Sequence, residues 1–123
     1  MSRPAALIVE DQPFVGLVAS DILKESGFEI FHAYDADDAV ALLDQHPEIV
    51  VMLTEAKLPG EISGLELCRC VSGKCPNVQL VVTAAGDELS ASEMPHGAQM
   101  LRKPYANAEL RYLVAAKALL QDA

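Results

Sequence analysis

Five side chains capable of chemistry stand at the ends of four short apolar runs. Glu10 and Asp11 close Ala6-Leu7-Ile8-Val9, and Glu55 follows Val50-Val51-Met52-Leu53-Thr54. Thr83 ends Leu80-Val81-Val82, and Lys103, followed by Pro104, ends Gln99-Met100-Leu101-Arg102. Apolar runs of this length between helical patterns read as buried parallel strands. In an open α/β sheet the ligand site lies beyond the carboxyl ends of the strands, so the five residues converge on one rim. Three carboxylates, a hydroxyl and an ammonium there make a site for a hard cation and a phosphoryl group. Singly, each has an ordinary reading: a solvated turn, a β-branched strand residue, a surface lysine. The common register carries the argument.

The elements that must position these residues alternate strand and helix along the whole chain, which implies a parallel sheet with helices on both faces. Strands are expected over residues 5–10, 29–33, 49–54, 78–83 and 98–102. The first helix takes Pro13 in its first turn, buries a stripe of Phe14, Val18 and Ile22, and ends at Gly27. Asp35 caps the second, whose Ala36, Ala39, Val40 and Leu43 face inward, and His46-Pro47 breaks it. Ser63-Gly64-Leu65-Glu66 is a capping-box pattern opening the third, which stops near Ser72-Gly73. Between the last two strands, residues 86–97 have little helical periodicity and contain Pro95, so a short or irregular helix with a mobile loop is expected. The last helix spans 107–121, with Asn107 as its cap and Leu110, Leu113, Val114 and Leu120 as its apolar positions.

These residues resemble the receiver domain of two-component response regulators, and the likeness spans nearly the whole chain. In that family an acidic pair after the first strand binds magnesium, and an Asp after the third accepts phosphate from a histidine kinase. A Ser or Thr follows the fourth strand and Lys-Pro follows the fifth. The matches are Glu10-Asp11, Thr83 and Lys103-Pro104, and Leu58-Pro59-Gly60-Glu61-Ile62-Ser63-Gly64-Leu65-Glu66-Leu67 resembles the loop after the acceptor strand. The family's acceptor stands four residues before that proline, and counting back from Pro59 gives Glu55 rather than Asp. The resemblance implies a flavodoxin-like (CheY-like) five-stranded parallel sheet in the order 2-1-3-4-5, forming one domain over residues 1–123. It also implies Mg2+ held by Asp11 directly, by Glu10 through water, by Glu55 and by the backbone carbonyl of Lys57. Thr83 would donate to a phosphoryl oxygen, and Lys103 would pair with both acceptor and phosphoryl group.

Glu55 decides what such a site can do. One extra methylene moves the carboxylate forward by about a bond length, and a misplacement of about 1 Å costs on the order of a hundredfold in positioned chemistry. The longer acid places negative charge where the phosphoryl group would sit, in contact with Lys103 and Thr83. Receivers commonly carry Tyr or Phe three residues before the Lys; here Met100 holds that switch position, and methionine is adaptable rather than rigid. The expected molecule is therefore an atypical, stand-alone receiver acting by protein–protein interaction, with Glu55 imitating the phosphorylated state, and not an enzyme. The alternative is a working phosphoacceptor using Mg2+ and a histidine kinase.

Composition sets the remaining bounds. The 123 residues are 51% apolar and suffice for one core without staples. A formal net charge of −9 argues against nucleic acid, whose binding needs a basic face. The sequence offers no apolar stretch long enough for a membrane span and no signal peptide, so a cytoplasmic location is expected. Partners are a histidine kinase or a downstream signalling protein, and the chain is a monomer or weak dimer. Cys68, Cys70 and Cys75 follow a C-x-C-x4-C spacing that matches neither a redox pair nor a zinc knuckle, and read as small hydrophobes. His32, His46 and His96 match no ligand spacing. A flavodoxin-like nucleotide-binding protein or small hydrolase fits poorly, because the turn Glu10-Asp11-Gln12-Pro13 has no glycine to admit phosphates and no Ser-His or Cys-His pairing is suggested.

Overall fold

A computed structural model describes residues 3–86 and 89–119. The apolar runs become strands β1 (Ala5–Val9), β2 (Glu29–Ala33), β3 (Ile49–Glu55), β4 (Gln79–Ala85) and β5 (Ala98–Lys103). They alternate with helices α1 (Pro13–Glu25), α2 (Ala36–Gln45), α3 (Gly64–Lys74) and α4 (Asn107–Ala118). All pairings are parallel, and the order is β2-β1-β3-β4-β5. Because successive side chains point to opposite faces, β1 feeds two cores. Ala5, Leu7 and Val9 pack with Met52, Leu67 and Val71 on one side, and Ala6 and Ile8 pack with Leu23, Leu53 and Val114 on the other. Every residue of β1 is buried, which explains an apolar run without polar alternation.

The local signals mostly act as expected. Pro13 occupies the first turn of α1, and Gly27 follows the helix at φ 105°, a left-handed value that costs glycine little. The Asp35 carboxylate accepts from the Asp38 amide at 2.9 Å, and Ser63 and Glu66 close a reciprocal capping box. Among the described residues, the segment before β5 holds a 3-10 turn, Ala91–Glu93, and no longer helix. Asp87 and Glu88 of that segment, like Leu120 of the last helix, lie outside the described residues.

Two expectations fail. The stripe that α1 buries is Gly16, Ala19, Ser20, Ile22 and Leu23, whereas Phe14 and Val18 are 84% and 57% exposed. The small side chains let the helix lie close to the sheet, so its bulky side faces outward. Asn107 is the first helical residue of α4 rather than its cap; Ala106 holds that place, and its amide donates to the Glu109 carboxylate at 2.9 Å.

Candidate functional site at the carboxyl rim of the sheet

Strand register brings the site together. Val9 pairs with Thr54, Glu55 with Thr83, and Ala85 with Lys103, so the ends of β1, β3, β4 and β5 meet at one rim. Glu10 continues β1, its amide donating to the Ala33 carbonyl at 3.0 Å. Thr83 lies inside β4 rather than at its end, because Ala84 and Ala85 extend the pairing with β5. One cavity is lined by Glu10, Glu55, Thr83 and Lys103 together with Tyr105.

The rim is organised by an ion pair. The Lys103 ammonium contacts the Glu55 carboxylate directly, with the two side chains 31% and 14% exposed. A pair this poorly solvated interacts more strongly than a surface pair. Thr83 does not share the acid. Its hydroxyl, 4% exposed, donates to the Thr54 carbonyl at 3.4 Å. The expected contact of Glu55 with Lys103 is present, and Thr83 satisfies itself on the β3 backbone instead.

One ammonium serves one acid, so negative charge accumulates beside the pair. The Glu10 carboxyl is pushed up to about 8, first by burial, then by hydrogen bonding and repulsion from Glu55, and by contact with Asp11. Asp11 itself is exposed in the turn before α1. Tyr105, which sequence reasoning missed, closes the cavity behind the cis Lys103–Pro104 peptide. Burial and the charges of Glu55 and Glu10 raise its phenol above the ordinary range. The signal available for it was an aromatic directly after Lys-Pro at a strand end.

Backbone packing fixes where Glu55 stands. The Gly64 amide donates to the Ala56 carbonyl at 3.0 Å, and a Cβ on Gly64 would lie 1.8 Å from the Glu55 carbonyl oxygen. The start of α3 thus presses on the end of β3 so closely that only glycine fits. Met100 pairs in register with Val82 and is half-buried against the α2–α3 core. Of the cysteines, all free, Cys68 is buried, Cys75 half-buried and Cys70 exposed, so packing as a small hydrophobe describes Cys68 alone.

The donor set suits magnesium only in part. Among the described residues no three His, Cys, Asp or Glu side chains form a metal cage. Mg2+ needs only one or two carboxylates and keeps several waters, and exposed Asp11, with Glu10 once its proton is given up, meets that need. Glu55 does not, because Lys103 already engages it.

The family model described as the response regulator receiver domain matches residues 6–115. A response regulator receiver protein from Sinorhizobium medicae WSM419 superposes with a TM-score of 0.85 at 20% identity, over 98% of each chain. A response regulator receiver domain protein from Clostridium thermocellum gives 0.82 at 20% identity over 96% of each. The receiver domain of NtrX from Brucella abortus gives 0.80 at 27% identity, over 94% of this chain and 98% of that one. No helix among the described residues is long and apolar enough to cross a membrane. With the match covering nearly the whole chain and the strand order agreeing, this chain belongs to the response regulator receiver domain family of two-component signalling.

Proposed function

We propose that this receiver signals through protein–protein contact with a histidine kinase or a downstream protein, with Glu55 in the acceptor's place and the site held in a standing imitation of its phosphorylated form. One observation carries the reading: the direct contact of Lys103 with Glu55. Phosphoryl acceptance needs a carboxylate free to attack phosphorus in line, and a cation free to neutralise the charge that develops. The rim's lysine pairs with the acid itself, as it would with a shorter acceptor, and what sets this site apart is the extra methylene of Glu55 that makes the contact. The longer side chain carries its charge out to where a phosphoryl oxygen would otherwise meet the ammonium. No catalytic turnover is assigned to the chain.

Magnesium, when bound, supplies charge neutralisation at the rim. Asp11 and Glu10, with the Lys57 backbone carbonyl, are the donors that would hold it, and Glu55 is the weakest candidate because Lys103 occupies it. The test is incubation with acetyl phosphate and Mg2+ followed by intact-mass analysis, alongside a beryllofluoride titration. The expected result is metal binding without phosphoryl incorporation and without binding of the mimic. Stoichiometric incorporation at Glu55, abolished in Glu55→Gln, overturns the proposal and establishes the working phosphoacceptor in its place.

A further inference from the structure

Two free thiols open onto one apolar slot between α2 and α3, and neither belongs to the rim. Val40, Leu43 and Val71 line the slot together with Cys70 and Cys75. It lies on the α2–α3 side of the sheet near the end of α3, whereas Glu55 is held at that helix's start. The slot and the rim cavity share no lining residue. Cys70 is exposed and Cys75 half-buried at the edge of the core, while Cys68 is wholly buried. One thiol therefore meets solvent, and a second stands beside the same opening.

We propose that Cys70 and Cys75 form a redox modification site, at which a hydroperoxide joins them in an intrachain disulfide. An accessible thiol with a resolving cysteine beside it is the arrangement that oxidises reversibly. In the first step the Cys70 sulfur attacks the peroxide. An S–O bond forms, the O–O bond breaks, and the thiol's proton leaves with the departing oxygen as water or an alcohol. Cys70 is then a sulfenic acid. In the second step the Cys75 sulfur attacks it. The S–S bond forms, the S–O bond breaks, and the hydroxyl departs with the Cys75 proton as water. Two thiols are oxidised to one disulfide, and one peroxide is reduced.

The sulfurs meet only if the end of α3 yields. Five residues of helix set the two Cα atoms about 9 Å apart, and a disulfide needs about 4.4–6.8 Å. The last turn must therefore open. It holds Ser72, Gly73 and Lys74, all exposed, so opening it uncovers no core. Glycine is a poor helix former, and nothing lies within 4 Å of where a Cβ on Gly73 would stand. Cys75 has already left helical geometry, at φ −128° and ψ 74°. What breaks is the bond from the Cys75 amide to the Val71 carbonyl, now 2.7 Å long. Oxidation thus removes one helical turn beside α2.

The test exposes the reduced native chain to hydrogen peroxide and reads the products by mass. Trypsin cleaves after Lys57, Arg69 and Lys74, which puts Cys68, Cys70 and Cys75 on three different peptides. The expected product has lost two hydrogen atoms, joins the peptide 70–74 to the one beginning at Cys75, and reverts with dithiothreitol. In Cys75→Ser, dimedone is expected to trap Cys70 as the sulfenic acid, and in Cys70→Ser oxidation of Cys75 slows at least about tenfold. Cys70→Ser, at an exposed position, serves alone if Cys75→Ser misfolds. Hydrogen exchange at the Cys75 amide should quicken on oxidation and recover on reduction. An unchanged exchange rate in a linked chain overturns the opening of the turn. A link through Cys68, a link between Cys70 of two chains, sulfinic acid at Cys70 without a link, or an unlinked chain at every peroxide concentration overturns the inference.

Discussion

Shortening Glu55 by one methylene is expected to restore phosphoryl acceptance while weakening the fold. In Glu55→Asp the carboxylate retreats by about 1.5 Å along the side chain and loses its direct contact with Lys103. That frees both the nucleophile and the cation, and correcting a misplacement of about 1 Å is worth on the order of a hundredfold, or about 2.7 kcal/mol of barrier. Stability moves the opposite way. Loss of a partly exposed ion pair costs up to about 1 kcal/mol and one buried methylene about 0.8 kcal/mol. The sum, about 1–2 kcal/mol, leaves a domain of ordinary stability folded. The assay is the time course of phosphoryl incorporation from acetyl phosphate with Mg2+, read by intact mass, beside a urea melt of the same samples. Faster incorporation with a lower melting midpoint is the expected signature. A Glu55→Asp chain that incorporates no faster than wild type would refute the assignment of Glu55 as the obstacle.

Further outcomes follow from neighbouring groups. The Glu10 carboxyl holds its proton more tightly folded than unfolded, so its ionisation costs stability, from nothing below the ordinary value of 4.5 to the full amount above about 8. Thermal midpoints should therefore fall as pH rises through that window, and a slope that survives in Glu10→Gln would assign the effect to other groups. Gly64→Ala forces a Cβ to 1.8 Å from the Glu55 carbonyl oxygen, and a loss of about 3 kcal/mol is expected in chemical denaturation. A near-neutral result would show that α3 can back away from β3. Burial pushes the Cys68 thiol up to about 12, so its thiolate fraction near pH 8 is on the order of one in ten thousand. Iodoacetamide followed by peptide mapping should label exposed Cys70 and spare Cys68 in the native chain, and equal labelling contradicts the burial.

What the sequence made legible depended on how local each determinant was. β2 is found at the expected residues and the other strands within two of theirs. For β1, β3 and β4 this follows because a strand buried on both faces must be an apolar run, whereas the edge strands β2 and β5 are only partly buried. The caps at Asp35 and Ser63 were equally legible, because each depends on one side chain and an amide three residues away. The buried face of α1 was not. Phe14 and Val18 are larger than Gly16, Ala19 and Ser20, but the sheet selects the face that lets the helix approach, and hydrophobicity alone ranks the two faces in the wrong order. In helix α4 the expected Leu110, Leu113 and Val114 do pack on the core, and only the cap, expected at Asn107, was misplaced.

At the rim, residue types and register were readable, but the allocation of partners was not, because it is settled by competition among groups far apart in the chain. Two carboxylates, Glu55 and Glu10, line the cavity with one ammonium, and Asp11 stays exposed in the turn outside it. Glu55 prevails because β3 lies in the middle of the sheet, two strands from Lys103, and its extra methylene spans what remains. Glu10, one strand further away on β1, is left to be crowded by the acid that took the lysine. Thr83, next to Glu55 in register, finds the Thr54 carbonyl instead. The same allocation accounts for the altered neighbourhood of the switch. On the proposed reading, a site whose lysine stays paired with Glu55 has no second arrangement to transmit. The adaptable Met100 in place of a rigid ring, and among the described residues a 3-10 turn before β5, are then parts such a site could spare.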